Sequence, residues 1–110
     1  MPGPDLFEEG LSFFNSGKYY EAHESWEDLW NLTSGHQKTF YQGLVQAAVA
    51  LHHLERNNAL GARGVLTKSL ALLAGFKDSK QSIDTSDLIR QLQEILDRMR
   101  MQTVRIARLK

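Results

Sequence analysis

The sequence predicts an all-α fold, a single-domain five-helix bundle, and three observations lead to this prediction. Apolar residues recur at intervals of three and four, and no stretch shows the strict alternation of a half-buried strand. Short segments rich in Gly, Asn and Ser separate the periodic stretches. A chain of 110 residues can enclose one core and is too short for two. We therefore expect one helical domain over residues 1–110, with residues 1–4 and about 102–110 flexible.

The helices are predicted in order over residues 6–16, 18–32, 36–55 and 58–74, with a fifth from residue 84. Asp5 is a suitable cap for the first helix, and Gly17 can take the left-handed conformation that ends it. Gly35 separates the second helix from the third, which is the most apolar of the five. Asp84 begins the fifth, whose apolar spacing continues into a basic amphipathic extension.

A repeat at an offset of 40 residues relates the first two helices to the third and fourth. Its large and small apolar positions correspond in order: Phe14, Ala22, Trp26 and Trp30 fall onto Leu54, Ala62, Leu66 and Leu70. Each half reads as helix, Gly/Asn turn, helix. The pattern resembles a tetratricopeptide-like pair of helical hairpins.

Charge and composition exclude several classes of protein. The formal net charge is zero and the C-terminal arginines lack interleaved aromatic residues, which argues against nucleic-acid binding. No leader and no long uncharged apolar run is present, so no membrane partner is expected. Without cysteine there is neither a disulfide framework nor a thiolate site, and a cytoplasmic location is expected. The charge is nevertheless uneven, with seven acids against two lysines in residues 1–40 and five basic residues without an acid in residues 98–110.

The candidate site lies on the second helix. His23 and Glu27 stand at positions i and i+4, where the apolar face of the helix meets its polar surface. If the second and third helices form an antiparallel hairpin about Gly35, then Gln42 and Gln46 come close in height to this pair. Imidazole, carboxylate and amide groups between helices can bind one divalent metal ion of unassigned identity. In that hypothesis His23, Glu27 and His53 are ligands and Glu24 is the base; the lining residues are Tyr20, Trp26, Trp30, Gln42 and Gln46.

A purely structural interpretation accounts for the same residues. His23 and Glu27 form a helix-surface pair worth a few tenths of a kcal/mol, and the two glutamines fix the helix register through hydrogen bonds. Trp26 and Trp30 are then core residues, and His52, on a different arc from His53, is packed or solvated.

The residues from Tyr20 to Trp30, with the string Glu-Ala-His-Glu-Ser-Trp-Glu, resemble the signature of domain-of-unknown-function family 309. A second block from Gln42 to Ala48 and a third from Asn57 to Ala62 also resemble that family. The resemblance implies a small all-helical protein, sometimes labelled a predicted metal-dependent hydrolase. The matching motif positions are Glu21, His23, Glu24, Trp26, Glu27, Trp30, Gln42 and Gln46, with His53 at a position where the family often has histidine.

Two functional hypotheses follow. The first is a metal-dependent hydrolase or metal-binding protein acting on an unassigned small molecule. The second is a non-enzymatic protein-interaction module in which the His/Glu/Gln group is a buried polar network, with a protein partner or a homodimer through the Ala/Gly-rich helices. A cleft open to water at His23 favours the first hypothesis. A closed, fully hydrogen-bonded pair favours the second.

Overall fold

The computed structural model describes residues 5–77 and 83–107, with side chains as far as residue 99. Five α-helices run in sequence: α1 (Leu6–Asn15), α2 (Tyr19–Asn31), α3 (His36–Glu55), α4 (Ala59–Leu73) and α5 (Thr85–Ala107). A single 3₁₀ turn, Ala74–Phe76, follows α4. None of the described residues forms a strand, so the predicted all-α class is confirmed. Most helix ends lie within one residue of the prediction.

Local sequence explains where the helices begin and end. The Asp5 carboxylate accepts hydrogen bonds from the first-turn amides of Phe7 and Glu8, and Asp84 accepts from the Asp87 amide at the start of α5. Gly17 and Gly35 adopt positive φ angles of 78° and 73° at the turns on either side of α2. Residues 1–4 and 108–110, part of the predicted flexible ends, lie outside the described residues. The helical backbone of α5 continues to Ala107.

The contact between α1 and α2 is built on Trp26. Its indole is 1% exposed and lies directly on Gly10, so closely that a Cβ atom on Gly10 would overlap the ring. The indole N–H donates to the Phe7 carbonyl at 3.2 Å, which satisfies the one polar atom that this side chain buries. Phe14 packs against the same ring system at a centroid distance of 5.5 Å. A glycine on α1 therefore sets how closely the two helices approach.

The contact between α3 and α4 is equally close. A Cβ on Gly43 would stand 2.7 Å from the Leu73 side chain, and the buried Ser69 hydroxyl donates to the Gly43 carbonyl at 2.8 Å. Phe40, Leu44 and the alanines of α3 supply the centre of the core. α3 thus lies between α2 on one side and α4 on the other.

Within the described residues, one helix segment, Ala59–Phe76, is long and apolar enough by composition to cross a membrane. In the fold its residues Ala62, Leu66, Ser69 and Leu73 are buried, because α4 packs against α3. The core helix of a globular domain passes the same test of length and composition.

Candidate functional site

A small cleft opens between α2 and α3 near the end of the bundle where α2 begins and α3 ends. Four residues line it: Tyr20, His23, Val49 and His52. Its volume is about 180 Å³. We call this feature the α2–α3 cleft.

The helical period explains how α2 supplies one wall of the cleft. Ala22, Ser25 and Trp26 point into the core, and the neighbouring arc brings Tyr20 and His23 to the surface. Tyr20 is 49% exposed, which is unusual for a residue that also contacts two other rings. The cleft therefore begins where the buried stripe of α2 ends.

The Tyr20 ring contacts both cleft histidines. Its centroid lies 5.6 Å from the ring of His23 on the same helix and 5.3 Å from the ring of His52 on α3. Each histidine has a carboxylate of its own helix 3.8 Å from a ring nitrogen, Glu27 for His23 and Glu55 for His52. The two ion-pair geometries are too long for direct hydrogen bonds. Both carboxylates are half exposed and stay available to a ligand.

His52 carries an unusual feature for a surface residue. Its Nδ1 atom is buried, and no hydrogen-bond partner for this atom lies among the described residues. Because this nitrogen is buried, a ligand in the cleft does not reach it, and the Glu55 carboxylate of the same helix lies 3.8 Å away.

His53, the predicted third metal ligand, lies on the neighbouring arc and does not line the cleft. Its Nδ1 is 3.3 Å from the side-chain amide nitrogen of Asn58, in the turn between α3 and α4. The oxygen of the same amide caps α4 by accepting from the Gly61 amide at 3.0 Å. This contact ties the His53 ring to the α3–α4 turn, and its role as a ligand stays a prediction.

The other predicted site residues occupy three environments. Gln42 and Gln46 are half buried on α3, and in the described part of the chain no hydrogen bond joins either amide to His23 or Glu27. Glu24 is exposed on α2, where the predicted role as a base stays untested. Trp26 belongs to the core, as described above.

Trp30 lies towards the Gly35 turn, with the Lys38 ammonium 4.4 Å from the centroid of its ring. This contact is a cation–π pair across the α2–α3 turn. The indole N–H is buried and has no partner among the described residues. Trp30 therefore stands apart from the cleft residues.

The three predicted metal ligands are only partly brought together. In the described part of the chain, no group of three or more His, Asp or Glu side chains converges closely enough to hold an ion. Among the described residues, His23 and Glu27 are the one pair of predicted ligands with a nitrogen–oxygen distance within 4 Å.

The sequence analysis missed Val49 and His52 as cleft residues. The sequence contains one indication that Val49 and His52 lie together: they are three residues apart, which places both on one flank of α3. His52 and His53 differ by 100° around the helix, and choosing between them requires knowing which flank of α3 faces α2.

Comparison with known proteins agrees with the resemblance seen in the motif. The model of the family described as "Domain of unknown function (DUF309)" matches residues 7–65, which include α1, α2, α3 and the first part of α4. An uncharacterized protein of Aquifex aeolicus is 31% identical over 93 residues, covering 84% of this chain and 28% of the relative. The uncharacterized protein YpuF of Bacillus subtilis is 33% identical over 64 residues, covering 57% of this chain and 37% of the relative.

This chain thus spans about a third of the length of these relatives. No solved structure matches it. The matched region includes every residue of the α2–α3 cleft. Because the family model covers more than half of the sequence, this chain belongs to the DUF309 family.

Proposed function

We propose that this chain is a protein-interaction module whose α2–α3 cleft receives a basic side chain of a partner protein. The observation that carries the proposal is the cleft itself, an open pocket lined by aromatic rings and valine with carboxylates on both flanks. Its volume of about 180 Å³ is below the range of roughly 300–1,000 Å³ typical of small-molecule sites. A cleft of this volume can hold a single amino-acid side chain.

Charge specifies which side chain is favoured. α2 carries Glu21, Glu24, Glu27 and Asp28 and no lysine or arginine, which gives the helix a formal charge of −4. All four acids are exposed. Their field attracts a cation and raises its rate of association.

The lining of the cleft suits the rest of a lysine or arginine side chain. The aliphatic stem can pack on Val49 and on the Tyr20 ring, whose exposed face also attracts a cation. The terminal charge then reaches Glu27 or Glu55 at the rim. An acidic side chain would be repelled by Glu27 and Glu55 at the same rim.

The test uses two synthetic decapeptides, alternating Lys-Ala and alternating Glu-Ala, titrated into ¹⁵N-labelled protein. We expect the basic peptide to shift the amide signals of Tyr20, His23, Val49 and His52, and the acidic peptide to leave them unchanged. Tyr20→Ala should weaken the effect, whereas His36→Ala, which removes a ring stacked on Phe76 at a distance from the cleft, should not. Equal shifts with both peptides, or shifts confined to other surfaces, would overturn the proposal.

A metal-dependent hydrolase is the second candidate, and one observation favours it. His23 and Glu27 both reach solvent, and the 3.8 Å between Nε2 and Oε1 can be spanned by one ion about 2.1 Å from each. In this candidate Glu24 is the base and His53 the third ligand, which requires the His53 ring to leave Asn58. The open cleft at His23 is the geometry expected for this candidate, which ranks second because no third His, Asp or Glu side chain among the described residues converges on His23 and Glu27.

Calorimetric titration with Zn²⁺ and with Mn²⁺, together with elemental analysis of the purified protein, tests the second candidate. One equivalent of ion, lost in His23→Ala and weakened in Glu27→Gln, would support it. Purified protein that contains no ion and gives no heat with either metal would contradict the metal-dependent hydrolase, and the interaction module would then be the one remaining candidate.

A cytoplasmic location belongs to the same proposal, supported by the absence of cysteine from the chain.

A further inference from the structure

The chain separates its charges between two segments. α2 carries four acids and no lysine or arginine. Residues 98–110 contain Arg98, Arg100, Arg105, Arg108 and Lys110 and no acid, a formal charge of +5 for their side chains. The two segments therefore have complementary charges, within a chain whose formal net charge is zero.

We infer that the partner received by the α2–α3 cleft is the basic C-terminal segment, residues 98–110, of a second copy of this chain. The inference rests on the proposed interaction module, because it names the partner of that same cleft. It commits to a reciprocal dimer in which the basic segment of each copy lies along the acidic α2 of the other.

The length of α5 supports this arrangement. α5 has 23 residues and α4, against which it packs, has 15. At 1.5 Å per residue the difference of eight residues makes α5 about 12 Å longer than α4. The start of α5 is held near the end of α4, because the Ser86 hydroxyl donates to the Lys77 carbonyl at 3.0 Å.

From that point α5 runs back along α4, and Met99 is still packed against the core. Its extra length therefore extends past the start of α4, at the end of the bundle where α3 finishes. The α2–α3 cleft opens at the same end, since His52 lies one turn before the end of α3.

The end of α5 and the α2–α3 cleft lie at the same end of the molecule, which is compatible with a two-fold dimer. We call residues 98–110 the donor segment. In a two-fold dimer, each contact from the first copy to the second is repeated from the second to the first. Two copies that meet at this end can exchange their basic segments and close the assembly, with no free cleft left to recruit a third.

Electrostatic attraction between exposed charges depends on salt. The Debye length is about 30 Å at 0.01 M ionic strength and about 3 Å at 1 M. Sedimentation equilibrium of the full chain should therefore show a dimer at low salt and a largely monomeric protein at high salt. A chain that stays monomeric at low salt would overturn the inference.

Charge reversal makes the test specific. Glu24→Lys with Glu27→Lys reverses two charges of α2 and changes its formal charge from −4 to zero. Arg105→Glu with Arg108→Glu reverses two charges of the donor segment and changes its formal charge from +5 to +1. Each double variant should weaken self-association about tenfold or more, because both contacts of its dimer lose most of their electrostatic attraction. Circular dichroism verifies that the variants stay folded.

An equimolar mixture of the two reversed proteins supplies the decisive measurement. In the mixed pair the unmodified basic segment of one protein, with a formal charge of +5, meets the unmodified α2 of the other, with a formal charge of −4. A heterodimer should therefore form at low salt more strongly than either variant associates with itself. The control Glu8→Lys with Glu94→Lys changes two other exposed acids by the same charge and should dimerise like the unmodified chain. A dimer that persists in both reversed proteins, or a mixture that stays monomeric, contradicts the inference.

Two further outcomes separate the inference from the proposed function. If the Lys-Ala peptide shifts the cleft signals while the chain stays monomeric at low salt, the self-association inference fails and the interaction module stands. If anionic vesicles or double-stranded RNA bind the unmodified chain and not the Arg105/Arg108 variant, and no dimer forms, the basic segment serves a different class of partner and the inference also fails.

Discussion

The two sides of α2 differ in packing: one is buried in the core and the other is open to solvent. On the inner side Ala22 and Trp26 are almost completely buried, and the indole lies against the backbone of α1 at Gly10. On the outer side Tyr20 is half exposed, and His23 and Glu27 stand 3.8 Å apart without a hydrogen bond. One short helix therefore stabilises the domain through one face and exposes the other, which is the face that we propose binds a partner. Substitutions on the two faces should have separable effects.

The largest expected effect is the loss of the inner contact in Trp26→Ala. Removing a fully buried indole leaves a cavity and removes its hydrogen bond to the Phe7 carbonyl, and we expect the free energy of unfolding to fall by about 3–5 kcal/mol. Guanidinium denaturation followed by circular dichroism measures the change. Leu32→Ala, which truncates a side chain that is 78% exposed, is the control and should change stability by less than about 0.5 kcal/mol. A small loss for Trp26→Ala would mean that α1 and α2 are held together by other contacts.

A smaller effect is expected when the same contact is overfilled by Gly10→Ala. The new methyl group would overlap the Trp26 ring, so α1 must move away from α2. We expect a loss of about 1–3 kcal/mol, even though alanine is the better helix former. The matched control is Gly64→Ala, because no atom lies within 4 Å of a Cβ at that helical position. That variant should gain up to about 1 kcal/mol. If both substitutions stabilise the protein, the close contact at Gly10 is not a constraint.

The outer face should contribute little to stability. His23→Ala removes a partly exposed ring whose contact with Glu27 is an i, i+4 surface pair worth a few tenths of a kcal/mol. We expect a change within about 0.5 kcal/mol in urea denaturation, while binding of the Lys-Ala peptide is weakened. A loss comparable to that of Trp26→Ala would show that both faces of α2 belong to the core.

The smallest effect concerns the start of α5, where the Asp87 carboxylate accepts hydrogen bonds from Arg90 and Gln91 of its own helix. Hydrogen bonds from Arg90 and then Gln91 hold the pKa of the Asp87 carboxyl below its usual range. Because the folded-state pKa is the lower one, this carboxylate stabilises the fold at pH values above its unfolded pKa. The contribution is lost as the pH falls from about 4 through the folded value.

Thermal melts of the wild type and Asp87→Asn at pH 6 and at strongly acidic pH measure this contribution. We expect the difference in melting temperature between the two proteins to shrink on acidification. A difference in melting temperature that is the same at both pH values would show that the ionised Asp87 carboxylate does not contribute to stability.

The sequence predicted the helices well because their boundaries depend on local chemistry. The Asp5 and Asp84 caps and the left-handed glycines at positions 17 and 35 act within a few residues of themselves, so their effect can be read directly. The motif around His23 likewise identified the family, which the family model confirms over residues 7–65. Periodicity also assigned Trp26 to the apolar face that the structure buries.

The candidate site could be predicted only in part. Tyr20 and His23, both candidate site residues of the sequence, line the cleft together with Val49 and His52, and His53 contacts Asn58. The prediction relied on counting residues from the Gly35 turn, which estimates height along a helix and leaves its rotation undetermined. A rotation of 100° is enough to exchange His52 for His53.

The sequence by itself determined that this protein is an all-α member of the DUF309 family with caps and turns at defined positions. The tertiary structure alone decided which flank of α3 faces α2, and therefore which histidine enters the cleft. The physical reason is that α3 is packed on two sides. Its rotation is fixed by the close approach of α4 at Gly43, with the Ser69 hydrogen bond to the Gly43 carbonyl, and these contacts join residues far apart in the chain.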